Sequence, residues 1–202
     1  MSLMLERPTT DGTAPREFEA LCAALDELNV PDGYKAEVIR GNIVMSPWSR
    51  AYYLTVMDLV CDRLRPHLPD GHRISSSPAL YTFPDVERAY GPDIHVAHER
   101  TRRSTSHLLD GEGLSLVGEL TSTSTRDTDW TDKAEHYSKA GVPVYLLLDM
   151  QEESATVLWS PSAKGYAAHF TVPFGDKLHI PAPFDCILDT TGFEAPADRE
   201  ID

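Results

Sequence analysis

Apolar residues recur at helical spacing in two segments of the chain. A first amphipathic helix is predicted over residues 15–28 by apolar side chains three and four positions apart, at Phe18, Leu21, Cys22, Leu25 and Leu28. A second helix is predicted by the same kind of spacing at Tyr52, Val56, Leu59, Val60 and Leu64. Prolines follow it at once and end it. Both helices are therefore expected to lay one face on a core.

Strands are predicted where apolar residues alternate with polar ones or form short continuous runs. Residues 34–45 suggest two short strands around a turn at Arg40-Gly41-Asn42. Further strands are predicted at 72–76, 79–83, 94–98, 114–121, 142–150, 156–160 and 166–172. A third helix from about 128 to 140 would end at Gly141 and Pro143. The pattern predicts an α/β domain with a mixed central β-sheet flanked by helices.

Length and composition are those of one well-filled core. With 202 residues, 41% of them hydrophobic, we expect a single domain over residues 1–190 and an acidic C-terminal tail over 191–202. No apolar run approaches the ~20 residues of a membrane helix, and no signal peptide is recognised, so a cytoplasmic protein without a membrane span is expected. Three widely separated cysteines, Cys22, Cys61 and Cys186, are expected in the core as free thiols.

The formal net charge of −14 argues against generic affinity for nucleic acids, because lysine and arginine must neutralise phosphates. The charge is uneven along the chain. Residues 40–135 hold eleven basic residues against fourteen acidic ones, whereas both ends are strongly acidic. An anionic substrate would be met in that central part. The alternative is that most of these arginines are simply solvated surface residues.

Two acidic residues lie near the ends of predicted strands. Strand alternation puts Asp93 on the same face as His95, and Glu119 lies near the end of an apolar run that predicts a strand buried on both faces. A buried carboxylate is costly unless it is paired or bound to a cation. Two such acids on neighbouring strands would suit Mg²⁺, with His95 as a less favoured contact. Taken alone, an acid at a strand end is more often a solvated edge residue or a salt-bridge residue.

A lysine in the third predicted helix could complete this site. Lys133 is spaced by four residues from Asp129 and from Tyr137, so the three share one helix face. The alternative is an Asp129–Lys133 pair on the surface. We expect Lys133 to point inward, because the wet face is already occupied by Asp132, Glu135, His136 and Lys139.

The order of these residues resembles a known family. The pattern comprises Glu37-Val38-Ile39-Arg40-Gly41, Met45-Ser46-Pro47, Pro92-Asp93, Glu119-x-x-Ser122, Arg126, Asp129, Lys133, Tyr137 and Gly141-Val142-Pro143-x-Tyr145. Over residues 34–150 it resembles the Uma-type family of restriction-endonuclease-like bacterial proteins, a branch of the PD-(D/E)xK nuclease superfamily.

The resemblance implies a restriction-endonuclease-like core and a Mg²⁺- or Mn²⁺-dependent endonuclease acting on DNA. Asp93 and Glu119 would match the metal-binding acids, with the backbone carbonyl of Leu120 as a further ligand. Lys133 would orient or help to deprotonate the attacking water and balance the phosphate charge. Glu37 would be an acid near the metal, outside its direct ligands, and Asp129 would hold Lys133. Tyr137 would pack or hydrogen-bond beside the lysine, and Arg126 would also support the site.

The chain departs from the family pattern at a few positions. Thr123 stands where a proline is usual, Leu146 where a tryptophan is often found, and Tyr52 and Tyr53 where a histidine is expected. Two hypotheses therefore remain: the endonuclease, and a non-catalytic oligomeric interaction protein that retains the nuclease scaffold. A homo-oligomer, with a dimer favoured, is expected because exposed edge strands often find a partner.

Overall fold

The computed structural model describes the backbone of residues 3–4, 14–47, 51–106, 108–122 and 125–195, and the side chains from residue 17 onward. Thr123 and residues 196–202 of the expected acidic tail lie outside these ranges. Within them, no helix combines the length and the apolar character needed to cross a lipid bilayer.

The secondary structure alternates between strands and a small number of helices. The helices are α1 Ala14–Glu27, α2 Ala51–Leu64, α3 Arg126–Thr128 and α4 Ala134–Lys139, with a π-helical segment, Asp129–Lys133, between the last two. Short 3-10 helices occur at Arg65–His67, Pro84–Val86, Thr101–Arg103 and Gly111–Gly113. The strands are β1 Leu3–Met4, β2 Tyr34–Ile39, β3 Asn42–Pro47, β4 His72–Ser75, β5 Leu80–Phe83, β6 Arg88–Tyr90, β7 Ile94–His98, β8 Leu108–Asp110, β9 Leu114–Thr121, β10 Val144–Asp149, β11 Ser154–Trp159, β12 Ala168–Pro173, β13 Lys177–Ile180 and β14 Cys186–Asp189.

A six-stranded sheet in the order β12-β11-β10-β9-β7-β4 lies at the centre of the molecule. Strands β9 and β10 pair in parallel, and all other neighbours in this sheet are antiparallel. Every residue of β9 and β10 is buried, because α2 packs on one face of the sheet and α4 on the other. The predicted mixed central sheet flanked by helices is therefore confirmed.

A second six-stranded sheet, in the order β1-β3-β2-β6-β5-β8, carries α1 on its surface. Strands β2 and β3 form the predicted hairpin. Its two turn residues, Arg40 and Gly41, have φ of 51° and 68°, and such left-handed pairs match the twist of a tight hairpin. Phe18 and Leu25 of α1 are buried against Val38 of β2, as the helical spacing predicted.

Several strands were not predicted from the sequence. Strands β6 and β8 have three residues each, too few for an alternating pattern to stand out. The hairpin of β13 and β14 has four residues in each strand and was also missed. Strand β10 begins two residues later than predicted, after the Gly141 to Pro143 segment. Cys22, Cys61 and Cys186 are buried free thiols, as expected.

Candidate active site

Strand register brings Asp93 and Glu119 together. In the antiparallel pairing of β7 with β9, Ile94 lies opposite Gly118, so the next position along places Asp93 opposite Glu119. A glycine suits this position, since a Cβ on Gly118 would lie only 3.1 Å from the Cβ of Ile94. The backbone N–H of Leu120 donates to Asp93 Oδ2 at 2.9 Å and holds that carboxylate against β9. The two predicted metal-binding acids thus face one region.

Lys133 points inward, as predicted, and its ammonium group is surrounded by three carboxylates. Its Nζ lies 2.9 Å from Glu119 Oε1, 3.3 Å from Asp129 Oδ1 and 3.4 Å from Glu37 Oε1. The lysine is 3% exposed, and the three acids are similarly buried. The surface pair between Asp129 and Lys133 is therefore excluded, although the pair itself exists inside the molecule. We call these four side chains, with Asp93 and Lys35, the charged cluster.

Lys35 is a member of the cluster that the sequence analysis missed. Its Nζ lies 3.2 Å from Asp93 Oδ1 and donates to the carbonyl of Gly91 at 3.1 Å. The signal was present in the sequence: Lys35 and Glu37 are two residues apart on β2, so strand alternation puts both on one face. Glu37 in turn accepts from the N–H of Gly91 at 2.8 Å. Strand β2 therefore supplies one cation and one anion.

The π-helical segment explains how the helix reaches the cluster. Three of its five residues, Asp129, Asp132 and Lys133, are buried. A π-helix closes i→i+5 hydrogen bonds, and the wider turn lets more consecutive residues face the sheet than an α-helix would. Such single-turn irregularities are frequent at functional sites. The sequence predicted one continuous helix here and could not show the change of period.

Asp132 corrects the sequence-based assignment of the wet helix face. It is 4% exposed and joins the helix to the second sheet. Arg40 Nε donates to its Oδ1 at 2.7 Å, Tyr90 Oη donates to its Oδ2 at 2.8 Å, and Arg88 Nε lies 3.5 Å from the same oxygen. The residue looked solvated because its partners come from a turn and a short strand far away in sequence.

The aromatic residue predicted to support the site contacts an acid rather than the lysine. Tyr137 Oη donates to Glu119 Oε1 at 3.1 Å, so this oxygen receives both the phenol and the ammonium of Lys133. The second oxygen of Glu119 takes part in neither contact. Tyr137 is fully buried. Its contact fixes the orientation of the acid.

Two further residues are placed apart from the cluster. Arg126 Nε lies 2.6 Å from Asp149 Oδ2, at the end of β10, so the structure does not bring Arg126 to the predicted site. His95 is buried with its ring 5.3 Å from that of Tyr81, and burial, with a smaller effect from Arg102, lowers its pKa to about 4. His95 is thus a neutral core residue on the face that the alternation predicted.

Burial and nearby charges shift the pKa values of the residues in the charged cluster in different directions. Burial raises the pKa of Glu119 to about 8, against the opposing effects of Lys133 and Lys35. Burial also raises the pKa of Asp129. For Glu37 the raising effect of burial is outweighed by Lys133, Lys35 and the N–H of Gly91, which lower its pKa. Burial alone would lower the pKa of Lys133, but the surrounding acids raise it well above its ordinary value, so it stays an ammonium.

The donor set fits a hard divalent ion held by few protein ligands. The cluster has four carboxylates against two ammonium groups, which leaves two negative charges uncompensated when all are ionised. Among the described residues, no group of three or more His, Cys, Asp or Glu side chains is arranged to cage a metal. Carboxylate oxygens are ligands for hard divalent ions, and Mg²⁺ commonly uses one or two of them and keeps its waters. Asp93 and Glu119 are the pair that could hold it.

Two cavities of different size adjoin the cluster. A cleft of ≈ 630 Å³ is lined by Lys35 and Asp93 together with apolar residues of α2 and of the segment before β5. A separate cavity of ≈ 50 Å³ is lined by Lys133, Asp129 and Glu37, among other residues. The smaller cavity is large enough for water only. Residues of the cluster therefore contribute to a space for a ligand and to a space for water.

Comparison with known proteins identifies the family. Residues 15–191 match the family described as “Uma2: Putative restriction endonuclease”. No curated protein matches the chain. One similar solved structure is titled a “putative nuclease belonging to DUF820 from Anabaena variabilis ATCC 29413”; it is 17% identical, with a TM-score of 0.60, and the alignment covers 79% of this chain and 87% of that one. At this identity the likeness concerns the fold, which is restriction-endonuclease-like. Because the family match spans most of its length, the chain belongs to the Uma2 family.

Proposed function

We propose that the chain is an endonuclease that uses Mg²⁺ or Mn²⁺ to hydrolyse phosphodiester bonds in DNA. The observation that carries the proposal is the buried contact between Lys133 and Glu119, at 2.9 Å, next to Asp93. A buried ion pair of this kind is weak evidence for stability, because desolvation offsets most of the attraction. Membership of the Uma2 family supports the same reaction class.

Each residue of the cluster has a separate task in this proposal. Asp93 and Glu119 would hold the ion, which lowers the pKa of a bound water and polarises the phosphate when it is present. Leu120 orients Asp93 through its N–H, and its carbonyl remains our candidate for a further ligand. Tyr137 orients Glu119. Lys133 stays protonated, so it offers positive charge to the phosphate and orients water by donating hydrogen bonds, and it is not the base.

Plasmid nicking tests the reaction and the role of Lys133. Wild-type protein with Mn²⁺ should convert supercoiled plasmid to the open circle, and Lys133→Met should slow this by about 100-fold or more, because a missing donor at the transition state costs that order of rate. The methionine keeps the length of the stem but leaves buried carboxylates without a counter-ion. We therefore expect a loss of about 3 kcal/mol in the free energy of unfolding of the metal-free variant.

Because the lysine variant is destabilised, a second variant is needed. Glu119→Gln keeps the size of the side chain and should lose nicking equally, with a smaller loss of stability. Glu112→Gln changes an exposed acid outside the cluster and should nick at the wild-type rate. Equal nicking by wild type and both cluster variants, at a temperature where all are folded, would rule out this site as the source of activity.

A non-catalytic interaction protein on the same scaffold is the second candidate. The net charge of −14 favours it, since so acidic a chain has a weak general attraction for nucleic acids. Calorimetry separates the two. A binding heat for Mg²⁺ or Mn²⁺ that disappears in Asp93→Ala is expected for the endonuclease, whereas an interaction protein should give no such heat.

A further inference from the structure

The proposed reaction does not explain why a cleft of ≈ 630 Å³ with a largely apolar wall lies next to the charged cluster. It opens on the Asp93 side of the charged cluster, where Lys35 and Asp93 form part of its wall. Both side chains are only partly accessible, at 18% and 11%. The two side chains pair with each other at 3.2 Å and form a charged end of the cleft. The cleft therefore belongs to the same working region as the cluster.

The rest of the wall is apolar. Leu54 and Met57 come from α2, and Pro78, Ala79 and Leu80 from the segment that enters β5. Leu54 is 58% exposed although it is a large aliphatic residue, and it is exposed at this cleft. A half-open apolar wall beside an ion pair is typical of sites that bind a molecule with one apolar and one charged end.

A single nucleotide has those two ends. Its base presents a flat apolar face that stacks on apolar and aromatic side chains, and its phosphate is an anion for a cation such as Lys35. The volume of the cleft lies within the range of roughly 300–1,000 Å³ for small-ligand sites. Tyr34 also lines the cleft.

A base inside an intact duplex cannot enter such a cleft. Enzymes that bind a base in a pocket act on single strands or extrude the nucleotide from the duplex. Duplex binding without extrusion relies on an extended positive surface, and this chain carries a net charge of −14. The cavity on the Lys133 side is too small for a nucleotide. A nucleotide can thus approach the cluster through the larger cleft, while the smaller cavity has room only for water.

Resting on the endonuclease proposed above, we infer that this cleft binds one unpaired nucleotide next to the scissile phosphate, so that the substrate is a single-stranded or locally unpaired polynucleotide. Leu54, Met57 and Tyr34 contact the base, and Lys35 contacts a phosphate. Lys35 also positions Asp93, because the same ammonium lies 3.2 Å from that carboxylate.

Binding and cutting are measured separately to test this assignment. A fluorescein-labelled single-stranded oligonucleotide and its blunt duplex are titrated in Mn²⁺ with Glu119→Gln protein, which should bind without cutting. The single strand should bind about tenfold tighter than the duplex or better. Adding Leu54→Asn should weaken single-strand binding by about fivefold or more, since it removes the apolar contact of this side chain with the base, and leave duplex binding unchanged.

A matched control and a second variant make the result decisive. Ile187→Asn makes the same change at a residue that is 54% exposed and lies outside the cleft, and it should alter neither affinity. Ala79→Phe fills the cleft with bulk and should weaken single-strand binding in the same way as Leu54→Asn. Equal affinity for single strand and duplex, or wild-type single-strand binding by both cleft variants, would overturn the assignment.

The same oligonucleotides with otherwise wild-type protein show which proposal is at fault. Cleavage that is insensitive to Leu54→Asn and Ala79→Phe would refute the cleft and leave the endonuclease standing. Single-strand binding that depends on Leu54 without any cleavage would support the cleft and refute the endonuclease.

Discussion

Glu119 is the residue on which the proposed reaction depends most. It is 1% exposed, and Lys133 and Tyr137 both reach its Oε1. Burial nevertheless raises its pKa to about 8, against the opposing effect of Lys133, so in the metal-free protein this carboxyl takes up a proton more readily than an exposed glutamate does. An ion that binds there has to displace this proton, and metal binding is therefore coupled to pH.

The raised pKa has a measurable effect on stability. The carboxyl takes up protons more readily when folded than when unfolded, so the metal-free protein should lose stability as pH rises from about 4.5 to about 8, and no further loss from this group should follow above that. In Glu119→Gln, the fall in the free energy of unfolding over this interval should be shallower. Urea unfolding in a chelator at several pH values measures it, with Glu112→Gln as the control. The same slope in all three proteins would contradict a raised pKa.

At the scale of residues, the sequence was informative where the pattern of a single strand or a single helix indicates which side chains lie on one face. Asp93, Glu119 and Lys133 could be found from strand ends and helical spacing. Lys35 could have been found from its alternation with Glu37, but a lysine on a strand is usually solvated. No local pattern reveals that it reaches an acid 58 residues away.

Among the elements, the π-helical segment Asp129–Lys133 between α3 and α4 has the largest effect on the site. It turns Asp129 and Lys133 toward the cluster and Asp132 toward β6 and the β2–β3 turn. Asp132 thereby links the helix to the second sheet, and the link holds the lysine in register with Glu119. The sequence predicted the helix and its end at Gly141, but a π turn depends on tertiary partners that hydropathy does not show.

Removing this link should loosen the helix. Asp132→Asn places an amide N–H₂ among Arg40, Arg88 and the phenol of Tyr90, where an acceptor is needed. We expect the free energy of unfolding to fall by about 2 kcal/mol, mostly through Tyr90 and Arg88, because the side chain of Arg40 is 66% exposed and water screens it. Chemical denaturation measures the loss.

The control for this change is Asp127→Asn, which alters an exposed acid in α3. It should stay within about 0.5 kcal/mol of wild type. Equal stability of the two variants would mean that Asp132 contributes no more than a surface residue.

At the scale of the whole molecule, the net charge opposes binding of nucleic acid, whereas the shape of the cleft favours it. A chain with a net charge of −14 repels nucleic acid at long range, so affinity must come from the few cations in the central part and from stacking in the cleft. Composition made the acidic character predictable. The cleft was not predictable, because its wall comes from segments that the fold brings together. The expected homodimer and cytoplasmic location stay predictions.

This balance predicts an unusually weak salt dependence of binding. If the protein contacts about two phosphates, the slope of log affinity against log salt for a single strand should be about −1.4, far from the slopes of basic DNA-binding surfaces. Fluorescence anisotropy of Glu119→Gln protein with the labelled single strand at several salt concentrations gives the slope. A value steeper than about −4 would point to a broad basic surface and contradict this mode of binding.

The two lysines of the charged cluster have one more consequence. Lys35 and Lys133 neutralise half of the acids in the absence of an ion, so the pocket is already assembled before any ion arrives. Chelator-treated protein should therefore keep its tertiary structure, unlike zinc fingers, which fold only with their metal. Under the proposed function, a cell could hold the assembled protein inert, and the local supply of divalent ions would decide when it cuts.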